Sequence, residues 1–174
     1  PSTFMALAGI SEIDVGAKST VNVGSKALEL VMVLDNIGSI SGSKIANLKT
    51  AATNLVNIIE AEKSDYSDVK MGVVPFAEYV NIGTGNFSAS WLDTIATTPG
   101  AWGGCVGSRP APYDLSIALP SGDYPALDGV PCNTEVLPLT SNLNTVKSKI
   151  GAMVSTGATY IPIGLLWGWN LIDS

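Results

Sequence analysis

The run Leu28–Leu34, followed at once by Asp35 and a glycine-serine turn, constrains this chain more than any other feature. Leu28, Leu30, Val31, Met32, Val33 and Leu34 make a nearly unbroken apolar segment, interrupted only by Glu29. A strand with one wet face alternates apolar and polar residues. A run like this one fits a strand buried on both faces, as in a parallel sheet. Asn36, Gly38 and Ser39 make the turn, and Ser41 or Ser43 is expected to cap a helix after it. Ile45, Leu48, Ala52, Leu55, Val56 and Ile59 then recur at helical spacing and form one apolar stripe, which carries the helix to Ala61. Strand, tight turn and amphipathic helix open an α/β fold. Ligands of open α/β sheets bind outside the carboxyl ends of the strands, so Asp35 and Ser39 stand at a candidate site.

Further along, residues 64–68 read as a turn-rich linker. Val69, Met71, Val73 and Val74 form a second strand that Pro75 is expected to stop. Phe76, Tyr79, Val80 and Ile82 form a short third strand, hairpinned to the second. Strand, helix and strand make a βαβ unit with a right-handed crossover. Pro138–Ser141 are expected to open a second helix, with Leu143, Val146, Ile150 and Met153 on its buried face and Gly157 as its stop. Pro162 suits the first turn of a third helix. Leu165, Leu166, Trp167, Trp169, Leu171 and Ile172 leave that helix apolar almost all round, which predicts that it is well buried. Gly164 and Gly168, four apart, let it lie close to a neighbour.

At 174 residues with 46% hydrophobic and 14% charged residues, the chain makes one domain, or most of one, with a real core. A net charge of −6 and a pI near 4.4 argue against nucleic acid or an anionic membrane surface as partner. No stretch reaches the roughly 20 apolar residues of a bilayer span. The chain has no histidine. That removes Ser-His-Asp and Cys-His catalysis and any zinc site built on imidazole. With no phosphate-binding loop and no paired carboxylates placed for acid-base work, the residues point to a protein that is not an enzyme.

The turn Asp35-Asn36-Ile37-Gly38-Ser39 resembles the Asp-x-Ser-x-Ser element of von Willebrand factor type A domains, the first part of their metal-ion-dependent adhesion site. Gly157-Ala158-Thr159 resembles the second element of that site, a Gly-x-Thr loop before a helix. The resemblance implies Asp35, Ser39 and Thr159 as metal ligands. An all-oxygen set suits Mg²⁺, or else Ca²⁺ or Mn²⁺. Ile37 departs from the pattern, because an isoleucine has no oxygen to offer. The wording LDNIGSISGSKIANLKTAATNLV, together with VPFAEYVNIG and GLLWGWNLI, is similar to the TadG-type proteins of Flp/Tad pilus assembly.

That resemblance implies a Rossmann-type open sheet flanked by helices. Residues 1–27 would be a lead-in after an upstream membrane anchor. Residues 28–174 would be the first two-thirds of a type A domain, with a Gly/Pro-rich insertion at 83–140. The remaining strands, and the third metal-site Asp, would lie beyond Ser174. The implied function is a binding, adhesion or pilus-associated module outside the bacterial inner membrane, whose partners are pilus or cell-envelope proteins or a surface ligand. The alternative expectation is a metal-free subunit that self-assembles, with a neighbouring chain completing the open edge of the first strand.

The insertion holds Trp91, Trp102, both cysteines and seven of the ten prolines. Cys105 and Cys132 are expected to form a disulfide, the alternative being two separate thiols. They stand too far apart for a CxxC redox motif. Arg109 is expected to pair with an acid such as Asp114, or else to contact a partner. Asn86-Phe87-Ser88 fits a glycosylation acceptor, a triplet common by chance.

Overall fold

A computed structural model of the chain describes residues 26–63, 66–115, 123–131 and 134–173. The lead-in expected over 1–27 falls almost wholly outside them, as does Cys132. The elements are β1 (Lys26–Asp35), α1 (Ser43–Ala61), β2 (Tyr66–Phe76), β3 (Val80–Asn81), β4 (Leu92–Asp93), β5 (Cys105–Val106), β6 (Tyr124–Pro125), β7 (Leu137–Thr140), α2 (Leu143–Ala152) and α3 (Ile161–Ile172). They build a mixed α/β architecture around a mixed sheet.

β1 and β2 run parallel, from Ala27 beside Asp68 to Asp35 beside Phe76. On its other side β2 meets two antiparallel strands. β7 pairs with Met71 and Val73, and β3 pairs at Phe76. β5 then continues the sheet from β3. Side chains of β2 alternate between two cores, as the period of two requires. Val69, Met71 and Val73 face Met32, Ala52, Val56, Leu143, Val146 and Ile150, under α1 and α2. Val74 and Phe76 face Ile163, Leu166 and Trp167, under α3. The first strand, its turn, the first helix and the β2–β3 hairpin are all present, although Phe76, expected in the third strand, ends β2 and leaves β3 only Val80–Asn81.

Four details differ from expectation. β2 runs through Pro75 to Phe76 instead of stopping. Pro75 falls between the last β7 pair at Val73 and the β3 pair at Phe76, where neither partner strand asks for its missing N–H. Neither Ser41 nor Ser43 caps α1. The N-cap falls on Gly42, at φ +75°, a backbone conformation that glycine adopts without penalty. Leu137–Thr140 is a strand, not the start of a helix, because pairing to β2 outweighs the local helix-start signal. α2 begins only at Leu143, where the Asn142 side chain accepts from the Thr145 N–H at 3.2 Å. Leu55, placed in the buried stripe of α1, is 39% exposed.

The third helix is also less covered than its composition predicts. Gly164 and Gly168 do lie tight on the sheet, against the Phe76 ring and Val33 respectively. Ile161, Leu165, Trp169 and Ile172, however, are all more than half exposed. Among the described residues, only one flank and the underside of α3 have a neighbour. No helix among the described residues is long and apolar enough to cross a membrane.

The 83–140 insertion is folded wherever it is described. Phe87 packs on Trp102 at 5.7 Å between ring centroids, and the Trp102 indole donates to the Cys105 carbonyl at 2.7 Å. Cys105 is held in a disulfide. Its sulfur lies 3.9 Å from the carbonyl oxygen of Pro131, the residue before Cys132.

Candidate functional site

The strand β1 delivers Asp35 to its carboxyl end, beside Phe76 of β2. There the chain turns sharply. The Asp35 carboxylate accepts from the Ile37 N–H at 3.1 Å, which fixes the turn and leaves the other carboxylate oxygen outside that bond. Ser39 follows in a short 3-10 turn, Gly38–Ile40, and is exposed.

Asn36 anchors this turn and was not among the residues singled out by motif. It is fully buried. Its N–H donates to the Phe76 carbonyl at 2.9 Å, and its carbonyl accepts from the Thr156 N–H at 2.9 Å. Its side-chain amide donates to the Val154 carbonyl at 2.7 Å. That bond fixes which end of the amide is nitrogen, because a carbonyl only accepts. The Asn36 Oδ1 is therefore a buried acceptor, and it has no hydrogen-bond partner. An unmet buried polar atom costs about 1–3 kcal/mol and calls for a ligand, ion or water. The sequence signal for it was a single amide directly after Asp35, at the end of the apolar strand.

The 154–160 loop is tied to the same turn. The Gly38 N–H donates to the Gly157 carbonyl at 3.0 Å, and the Tyr160 N–H donates to the Ala77 carbonyl at 2.9 Å. A Cβ on Gly38 would approach the Gly157 oxygen to 3.3 Å, so the two backbones meet closely. The structure thus places the Asp35–Ser39 turn and the Gly157–Thr159 loop side by side, although more than 110 residues separate them in sequence. Thr159 is exposed and stands just before α3, which carries Pro162 in its first turn.

The oxygens on this turn and loop are hard donors, the Asp35 carboxylate and the exposed Ser39 and Thr159 hydroxyls, while the orphaned Asn36 Oδ1 is buried. Their chemistry fits Mg²⁺, Ca²⁺ or Mn²⁺ and not a soft metal. No group of three or more His, Cys, Asp or Glu side chains among the described residues is arranged to hold a metal ion. Asp35 would be the carboxylate of a site otherwise made of neutral oxygens.

Arg109 lies elsewhere. It is 3% exposed, and its guanidinium carbon sits 4.5 Å from the centroid of the Tyr124 ring. That contact is a cation–π interaction, which holds a buried charge against an aromatic face.

No family model and no curated protein matches the chain.

Proposed function

We propose that this chain is a non-enzymatic binding module of the von Willebrand factor type A kind, similar to TadG-type proteins and working outside the inner membrane. The observation that carries this reading is the joining of two loops at the strand ends. The Gly38–Gly157 hydrogen bond and the Asn36 anchors bring the Asp35–Ser39 turn against the Gly157–Thr159 loop. Asp35, Ser39, Thr159 and Asn36 Oδ1 would hold the cation. Bound there, a divalent cation supplies an open coordination position for an acidic oxygen of a partner. The chain's own part is to hold the turn rigid, to keep the two hydroxyls exposed, and to present one carboxylate.

Ile37 occupies the position where the pattern calls for a hydroxyl. Ile37→Thr is expected to bind Mg²⁺ several-fold more tightly than the natural chain, measured by isothermal titration. Equal affinity in the two proteins would remove Ile37 as the obstacle and weaken the metal reading.

A second reading has its own observation, the free edge of β1. Among the described residues β1 pairs only with β2. Of its apolar side chains only Met32 is fully buried, whereas Val69, Met71, Val73 and Val74 of β2 are wholly so. Apolar side chains also border that edge. On α1, Lys49 and Glu60 reach α2, which leaves Leu55 and Ile58 on the opposite flank. On α3, Gly164 and Gly168 face the sheet and Trp167 faces the aromatic cluster beyond β2. At 100° per residue, Ile161, Leu165, Trp169 and Ile172 then face past β1. An exposed strand edge between two apolar borders is a template for a further strand. If a neighbouring copy supplies it, light scattering should show association that grows with concentration and falls in a Leu165→Lys, Trp169→Lys double variant. A monomer at every concentration contradicts self-assembly.

A further inference from the structure

A cavity of about 500 Å³ opens at the far end of α3 from the Asp35 turn. Its lining from this helix runs from Trp167 to Asp173, and Trp167 stands six residues, about 9 Å of helix, from the Ile161 end. A volume of this size lies within the range of small-molecule sites. We propose that this cavity binds a neutral sugar, one or two rings in size, at a site independent of any metal at Asp35.

Three aromatic side chains wall the cavity. Trp91 meets Trp167 at 5.7 Å and Tyr124 at 6.2 Å, and Tyr124 meets Trp167 at 4.9 Å. Trp91 remains partly exposed, so it has surface to offer. The C–H face of a sugar ring packs on such surfaces. The polar groups are few and of both kinds. Asn170 donates to the Tyr124 hydroxyl at 3.0 Å, which leaves its amide oxygen as an acceptor. The Arg109 guanidinium lines the same space. Glu135 stands at the wall too, 3.8 Å from Lys149, which offsets its charge.

The observation that calls for an occupant is the Trp167 indole. Trp167 is 7% exposed, and its Nε1–H is buried with no hydrogen-bond partner. Indole nitrogen is a donor only, so it needs an oxygen or nitrogen acceptor. Trp167 is among the residues that line the cavity. One cation, Arg109, and two carboxylates, Glu135 and Asp173, border this space, and Lys149 offsets Glu135, so neither sign of net charge is strongly selected. A ligand with apolar ring faces and hydroxyls that both donate and accept satisfies the aromatic wall, the Asn170 oxygen and the Trp167 N–H together. A neutral sugar has that chemistry.

The test is titration of the natural chain with a panel of neutral mono- and disaccharides, read by tryptophan fluorescence and by calorimetry. Saturable binding of at least one sugar is expected. Trp167→Phe, which keeps an aromatic ring but removes the N–H and part of the stacking surface, should weaken it about tenfold or more. Asn170→Ala should weaken it by a similar factor, and it covers the case in which Trp167→Phe folds poorly. Ile37→Thr and Asp35→Ala should leave sugar binding unchanged, so failure of the metal reading and failure of this one are distinguishable. No saturation with any neutral sugar, or binding only of free amino acids, overturns the proposal. So does undiminished sugar affinity in both cavity variants.

Discussion

Gly164→Ala is expected to lose about 3 kcal/mol of stability, the upper end of the cost of overpacking a filled core. The helix α3 lies so close to β2 that a Cβ at this position would overlap three carbons of the Phe76 ring. Phe76 is itself 4% exposed and packed among Val74, Ile163 and Trp167, so the ring has nowhere to move. Against this, alanine gains about 1 kcal/mol of helix propensity over glycine, which is too little to offset the clash. The same substitution on α2 should act in the opposite direction. Gly151 is exposed and has nothing within 4 Å of a built Cβ, so Gly151→Ala should gain up to about 1 kcal/mol. At about 2–4 °C per kcal/mol for a domain of this size, thermal unfolding separates the two variants easily. Equal melting temperatures for both would mean that α3 does not lie on the sheet as described.

The second large effect concerns the disulfide. The expected Cys105–Cys132 bridge would close a loop of about 27 residues, and on the chain-entropy model its loss would cost about 3 kcal/mol. Cys105 sits in β5 at 1% exposure, where its carbonyl also accepts from the Trp102 indole and from the Leu127 N–H at 2.9 Å. Reduction should therefore loosen the insertion first, around Trp102 and Tyr124, ahead of the β1–β2 ladder. Denaturant unfolding with and without reductant measures the loss, and tryptophan fluorescence reports where it begins. An unchanged midpoint would show that the bridge constrains nothing the packing does not already hold.

The part of the fold with strong local signals was legible from residues alone. Leu28–Leu34 could hardly be anything but a two-faced strand, and the Asp35–Ser39 turn and the α1 stripe follow from it. Gly164 and Gly168 correctly announced a close approach. What failed did so where distant contacts decide. Leu137–Thr140 carries a proline and a hydroxyl that, with Ser141 after them, imitate a helix start, and only its pairing with Met71 and Val73 makes it a strand. Pro75 was read as a strand stop because nothing local reveals the gap between β7 and β3. The apolar count of α3 was right, but counting does not say which flank has a neighbour, and Leu165 and Trp169 are 60% and 59% exposed.

At the candidate site, the meeting of the two loops rests on backbone hydrogen bonds that no spacing encodes. Asn36 was read only as a turn residue for the same reason. Its importance lies in what surrounds it, the carbonyls of Phe76 and Val154 and the N–H of Thr156, and those are tertiary facts. The cavity residues Trp91, Tyr124, Trp167 and Asn170 come from three separate segments. In sequence they read only as scattered aromatic and polar positions.

The central claim is that the joined turn and loop hold a divalent cation. Thermal unfolding of the natural chain in Mg²⁺ or Mn²⁺, against the same protein in chelator, tests it most directly. At a hundred times its dissociation constant, a ligand bound only to the folded state adds about 2.7 kcal/mol, a rise of several degrees for this size. The account predicts that rise, and predicts that Asp35→Ala abolishes it. Superimposed curves for the natural chain with metal and with chelator would contradict the claim.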